Sequence, residues 1–107
     1  MDTTVNKIIS GYIKQVKENF PDFEKAFVFG SYAKGNFTQN SDIDIALIFK
    51  NLEDIQRFDL QVQLMLLASK IDTRIEPHPL SHEDFYQETP FAHEIKQNGF
   101  EILETTT

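Results

Sequence analysis

The chain has 107 residues, 40% of them hydrophobic and none of them Cys or Trp, and its seventeen Asp and Glu outnumber ten Lys and Arg to give a net charge of −7. Such a length allows one compact domain with a modest core. The lack of cysteine excludes disulfide frameworks, metal–thiolate sites and cysteine nucleophiles, the acidic balance opposes a sequence-independent grip on nucleic acid, and no apolar run of about 18 residues offers a membrane span. The opening MDTTVNK lacks the basic-then-apolar layout of a signal peptide. The expectation is a soluble, cytoplasmic protein with a single domain over residues 1–107.

In chain order, the first element reads as an amphipathic helix. Val5, Ile8, Ile9, Tyr12, Ile13, Val16 and Phe20 recur at i, i+3, i+4, i+7. Thr3 or Thr4 is placed to cap it and Pro21 to end it. Lys25 to Phe29 is a run rich in β formers and predicts a strand, broken at Gly30-Ser31. Ser31 to Gly35 either begins a short helix or remains a loop. Ser41 to Phe49 predicts a second strand. Alternation puts Asp42, Asp44, Ala46 and Ile48 on one face, and Ile43, Ile45, Leu47 and Phe49 on the other, which reads as the core face. A long helix is expected from Asn51 to about Ser69, with Ile55, Phe58, Val62, Met65 and Leu66 as its core stripe. Leu60, Leu64 and Leu67 lie off that stripe and either meet a partner or pack within the domain. A third strand is expected from about Ile71 to His78, stopped by Pro77 and Pro79. Short helices near Ser81–Tyr86 and Phe91–Lys96 and a last strand at Phe100–Leu103 complete the chain. This mixture indicates an α/β (α+β) domain with a small mixed sheet of about four strands and helices packed on it.

The chemically informative stretch runs from Phe29 to Phe49. It holds Gly30-Ser31, ten intervening residues, then Asp42-x-Asp44. On one strand face the two aspartates have Cα atoms ~6.6 Å apart. Carboxylates so placed repel unless a cation lies between them, and hard oxygen ligands suit Mg²⁺, which completes its shell with phosphate and water. Two such ions can clamp the attacking and leaving oxygens of a phosphoryl displacement. Glycine lets backbone approach a ligand closely, and a serine hydroxyl with helix-start N–H groups can hold phosphate oxygens. A lone Asp-x-Asp is ordinarily solvated charge and a lone Gly-Ser a turn. Their spaced conjunction arises by chance in roughly one chain in a thousand of this length, and the acids open a strand that is otherwise apolar, so a nucleoside triphosphate site is the better reading.

Phe29-Gly-Ser-Tyr-Ala-Lys-Gly35 and Ser41-Asp-Ile-Asp-Ile45 resemble the signature of the DNA polymerase β-like nucleotidyltransferase superfamily. The short length is similar to its minimal nucleotidyltransferase (MNT) domains. The motif spans about one-fifth of the chain. The order of helices and strands extends the resemblance to the nucleotidyltransferase fold over most of the rest. Lys34 stands where the family often has Arg, keeping the charge but losing bidentate geometry. It either touches phosphate or packs its stem over the turn. The family places a third carboxylate on the next core strand. Asp72 and Glu76 compete for that role, and Glu76, which follows Arg-Ile, is the choice. A carboxylate there can accept the proton of an attacking hydroxyl. The resemblance thus implies Asp42, Asp44 and Glu76 as catalytic and metal-binding acids, Gly30, Ser31 and Lys34 as nucleotide contacts, Mg²⁺ in a two-ion arrangement, and ATP as substrate.

Such domains are often paired with an all-helical HEPN protein, an RNase toxin, and transfer AMP from ATP to its tyrosine. The implied role is therefore a protein adenylyltransferase acting as antitoxin. With about thirty residues after Glu76, either the acceptor surface comes from another polypeptide, for which a HEPN-type protein is the expectation, or the site is open; a homo-oligomer is a separate partner expectation. The alternatives are a free-standing nucleotidyltransferase for a small molecule or an RNA end, and a non-catalytic partner-binding module. His78, between Pro77 and Pro79, reads as a turn histidine or a nucleotide contact, and His82 and His93 carry no signal. A P-loop, an EF-hand and a serine hydrolase frame are absent from the sequence.

Overall fold

In the computed structural model, which describes residues 3–103, four strands form one mixed sheet with helices on both faces. Helix α1 (Thr3–Asn19) buries Val5, Ile9, Tyr12, Ile13 and Val16, the stripe its periodicity predicts. Thr3 and Thr4 already lie in its first turn, so the residue that would cap it lies outside the described residues. Pro21 follows its end. Strand β1 (Phe23–Phe29) begins two residues earlier than expected, and Ser31–Lys34 does form a short helix, α2. Strand β2 (Ile43–Phe49) leads to α3 (Asp54–Ser69), whose first turn is closed by Gln56 Oε1 accepting from the Glu53 N–H at 3.2 Å. Strand β3 (Ile75–Ser81) runs straight into α4 (His82–Tyr86), where Ser81 Oγ caps the Asp84 N–H at 3.0 Å. Thr89 caps α5 (Pro90–Asn98) in the same way, with Pro90 in its first turn. The last strand, β4, is only Phe100–Glu101.

The strand order is β3-β2-β1-β4. β1 is antiparallel to both β2 and β4, whereas β2 and β3 are parallel with α3 as the crossover between them. On one face α1 and α3 cover Ile43, Ile45, Leu47 and Phe49. Tyr12 links these two helices, its buried hydroxyl donating to the Leu64 carbonyl at 3.0 Å. Burial pushes the Tyr12 phenol well above its ordinary range, so it stays neutral and keeps that proton. On the other face a smaller cluster joins Ala46, Ile48 and Leu80 to Phe85, Ala92 and Ile95 of α4 and α5. Both faces of β2 are therefore core, not one.

Two further expectations are overturned. The first concerns α3: Leu64 and Ala68 are buried with Leu60 and Leu67 packed beside them, while Ile55, Phe58, Val62, Met65 and Leu66 face outward. The helix carries two apolar stripes, and the leucine stripe is the one that meets the sheet. The second concerns β3, which starts at Ile75 and continues through Pro77 and Pro79. The strand lies at the sheet edge. In a strand the N–H and C=O of one residue point to the same side. Gln61 of α3 donates to the Pro77 carbonyl at 2.8 Å, so residues 77 and 79 turn their backbone groups toward α3 and away from β2. Proline costs no ladder bond there.

Candidate active site

The Gly30 turn joins β1 to α2 beside the start of β2. Phe29 pairs with Asp44 across the β1–β2 ladder, and Gly30 then takes φ +72°, a left-handed conformation that side chains avoid. The Asp44 carboxylate lies directly over this glycine: a Cβ on Gly30 would collide with Asp44 Oδ2. Gly30 and Asp44 are thus one packed unit, and the reason for glycine is steric as well as conformational. Gly35, at φ +79°, ends α2 and returns its N–H to the Ser31 carbonyl. Between them Tyr32 is buried and stacks on Phe37, ring centroids 4.4 Å apart.

The loop from Asn36 to Asp42 is held by one arginine. Arg74 donates to Tyr32 OH at 3.3 Å and to the Gln39 carbonyl at 3.2 Å. Its Nε and Nη2 grip the two oxygens of Asp72 at 3.1 and 3.0 Å. The Asp72 hydrogen bonds with Arg74 hold its carboxyl below the usual carboxylate range. Asp72 is therefore an anchor for Arg74. Ser41 adds a local tie by accepting the Thr38 N–H at 2.8 Å.

Glu76, not Asp72, is the acid brought to the aspartates. The parallel register sets Glu76 beside Asp44, and the Asp42 carboxylate, just before the first residue of β2, is placed to accept a hydrogen bond from Glu76 when Glu76 holds a proton. That bond, followed by burial and the charges of Asp42 and Asp44, raises the proton affinity of Glu76, against the opposing effect of His78. Among the described residues no three His, Asp or Glu side chains are already gathered at coordinating geometry. Glu76 leans to Asp42, and Asp44 leans to His78. The donor set is nonetheless the right kind for Mg²⁺: three carboxylates, on β2, on β3 and just before β2, are hard oxygen ligands whose crowding a divalent cation would relieve.

His78 is the residue that sequence reasoning undervalued. Its Nε2 sits 3.1 Å from Asp44 Oδ1, and its ring lies 5.0 Å from Phe29 and 6.0 Å from Phe91. The signal was available in the spacing: Glu76 and His78 are two apart on a strand and so share a face. Lys34 behaves differently, its Nζ lying 3.3 Å from Glu94 Oε1 of α5 with both groups well exposed. Ser31 opens α2, half-buried beside Gly30. His82 pairs with Glu24 at 2.6 Å beside Tyr86, and neither His82 nor the exposed His93 takes part in the acid cluster.

Known proteins are similar to this chain in sequence and fold. The family model described as polymerase beta, nucleotidyltransferase matches residues 12–107. A protein adenylyltransferase, MntA, from Shewanella oneidensis is 38% identical over 72 residues, which is 66% of this chain and 47% of that protein, so the chain spans about half the length of this curated relative. The crystal structure of a toxin–antitoxin with AMP-PNP is 25% identical and superposes with a TM-score of 0.62 over 94% of this chain and 73% of the other. A third relative, in the structure of the tri-AMPylated Shewanella oneidensis HEPN toxin in complex with MNT antitoxin, is 22% identical with a TM-score of 0.58 over 94% and 73% of the two chains, a likeness of fold. With Gly30-Ser31 and Asp42-x-Asp44 both inside the matched span, this chain belongs to the polymerase beta nucleotidyltransferase family.

Proposed function

We propose that this chain is a Mg²⁺-dependent nucleotidyltransferase that moves AMP from ATP to a tyrosine hydroxyl of a HEPN-type toxin, and so acts as its antitoxin. The carrying observation is the pairing of Asp44 with Glu76 across β2 and β3, with Asp42 against Glu76 and Gly30 packed under Asp44. The substrate and acceptor come from the relatives: one is named a protein adenylyltransferase, one was solved with AMP-PNP, and one accompanies an AMPylated HEPN toxin.

Asp42, Asp44 and Glu76 would hold the cation. When bound, Mg²⁺ neutralises triphosphate charge and aligns the oxygens around the α-phosphorus. The Gly30-Ser31 turn holds the outer phosphates through backbone N–H groups and the Ser31 hydroxyl, since the glycine leaves room for close approach. Lys34 reaches the same phosphates after leaving Glu94, an exposed pair that costs little to open. His78 fixes one oxygen of Asp44, leaving the other over Gly30. The tyrosine oxygen attacks the α-phosphorus in line. The new O–P bond forms as the bond to the β-phosphate oxygen breaks, pyrophosphate departs, and the hydroxyl proton passes to Glu76. Glu76 suits that task because a carboxylate set beside the attacking oxygen can accept its proton. Catalysis is then mostly positioning and charge neutralisation.

The test uses ATP labelled at the α-phosphate, Mg²⁺ and a HEPN-type partner. Label should appear on partner tyrosine, and Asp42→Asn with Asp44→Asn should lower transfer by about a thousandfold or more. Unchanged labelling in that double variant would sink the metal mechanism. Neutralisation of the toxin with no labelling by the wild type would make the chain a non-catalytic binding module.

A further inference from the structure

The outward stripe of α3 has no structural task within the domain. Ile55, Phe58, Val62, Met65 and Leu66 are 83%, 76%, 40%, 52% and 60% exposed. Isolated exposed apolar residues are ordinary, but a contiguous patch of five large ones marks a contact surface. Ile55, Phe58, Val62 and Met65 are spaced three, four and three apart, the alternation that keeps one seam facing a second helix. The seam adjoins a groove between the end of α1 and α3. There a cavity of about 320 Å³ touches Phe20, Leu60 and Gln63, and another of about 250 Å³ touches Phe20, Gln63 and Leu66. Leu66 belongs to both seam and groove.

Charge decides what can lie on this seam. Glu53, Asp54 and Asp59 stand at its start, and Arg57 is turned aside to Asp54 and Asp84 at 3.2 and 3.1 Å. Two copies of α3 packed antiparallel about Val62 would set Asp59 of each copy against Met65 of the other, stripping water from a carboxylate without a partner. A parallel pair would bring Asp54 of one copy to Asp59 of the other, like charge on like. A contact of two single helices also buries on the order of 1,000 Å² in total, the lower limit for a stable pair, and each copy carries a net charge of −7. A foreign helix with an apolar stripe and Lys or Arg at its margins meets neither of the charge penalties.

We propose that the outward face of α3 is the docking surface for an α-helix of a partner protein, an apolar stripe flanked by basic residues. Only the partner's identity as a HEPN-type toxin rests on the function proposed above. The face lies on the helix that packs against Ile75 of β3, on the side of the sheet opposite the one that bears Asp44, Glu76 and His78.

The first probe is a synthetic three-heptad helix with Leu at the core positions and Lys at the flanks, compared with a twin bearing Glu at the flanks. Amide shifts of the wild-type protein should move along residues 55–66 with the Lys helix, and the Glu twin should bind at least tenfold more weakly. Phe58→Ser with Met65→Ser should weaken the Lys helix at least tenfold while thermal stability and ATP binding stay as in the wild type. Equal binding of both helices, or unimpaired binding by the double variant, would overturn the proposal. A wild-type dimer in sedimentation that the double variant converts to monomer would overturn it in favour of a second copy. The second probe is the HEPN-type protein, whose binding should fall in the Phe58/Met65 variant and persist in the Asp42/Asp44 variant. If no AMP transfer is found while the Lys helix docks, the catalytic reading fails and the docking surface stands.

Discussion

The two faces of β2 were built from the same alternation but do different work. One carries Ile43, Ile45, Leu47 and Phe49, all buried under α1 and α3. The other begins with Asp42 and Asp44 and turns apolar only at Ala46 and Ile48. The difference lies in the cover. α1 and α3, of 17 and 16 residues, shield the first face along its length, whereas α4 and α5, of five and nine residues, shield the second. Where the shorter cover ends, charged groups can face solvent and ligand while staying fixed to a buried strand. Strand residues hold side chains more rigidly than loop residues, which suits a site whose task is positioning.

That comparison can be broken most strongly from the core side. Leu47→Ala should cost about 3 kcal/mol, because Leu47 is fully buried and the sheet cannot collapse into the space. Urea unfolding would read it, with nucleotide affinity unchanged in the fraction still folded. A loss below 1 kcal/mol would mean that the first face is less tightly packed than its burial indicates. Gly30→Ala attacks the other side. It should cost about 1–2 kcal/mol for an L residue at positive φ. Displacement of Asp44 should lower AMP transfer by roughly a hundredfold. An activity loss no larger than the stability loss explains would separate Gly30 from Asp44.

Much of this was legible in the sequence where one physical rule acted alone. The α1 stripe has a single apolar face, so its periodicity identified the buried residues. The Gly30-Ser31 and Asp42-x-Asp44 spacing pointed to the candidate site because few other demands put acids at the head of an apolar strand. Legibility failed where two answers satisfied the same rule. α3 has two apolar stripes, and period alone does not say whether Leu64 or Val62 meets the sheet. Pro77 and Pro79 normally stop a strand, and only their place at the edge, facing Gln61, makes them harmless. Asp72 and Glu76 share a strand-like parity. Arg74 claims the first, and parallel register delivers the second to Asp44. The His78 contact needed that register as well.

Arg74 offers a smaller test of the loop beneath the site. Asp72 has a lowered proton affinity in the fold, so its stabilising effect is fully present above the ordinary carboxylate range and is lost as pH falls through the folded value. Asp72→Asn should cost about 1 kcal/mol at pH 7, and the difference from wild type should vanish in acid. Nucleotide binding should weaken modestly, since Arg74 would still reach Tyr32 and Gln39 but with less constraint. A pH-independent difference in stability would show that Asp72 acts through packing and not through charge.

The least effect, and of opposite sign, belongs to Glu76. Its proton affinity in the fold is raised, chiefly by the hydrogen bond with Asp42. Between the ordinary Glu range, about 4.3, and the raised folded value, the native state binds more protons than the unfolded chain. Stability therefore falls as pH rises through that window and stays lower above it. Glu76→Gln cannot ionise, so it removes this cost. The free protein should melt roughly 1–4 °C higher at pH 7, the range expected for relief of one exposed like-charge contact, and the gain should disappear below pH about 4. Added Mg²⁺ should narrow the gap at pH 7 by stabilising the wild type more than the variant, because the same crowding that destabilises the free site is what a cation offsets. A variant that melts lower than wild type at pH 7 would mean that the acids are not in conflict, and the site would then be maintained by its hydrogen bonds alone. The acid face would in that case differ from the apolar face of β2 only in composition.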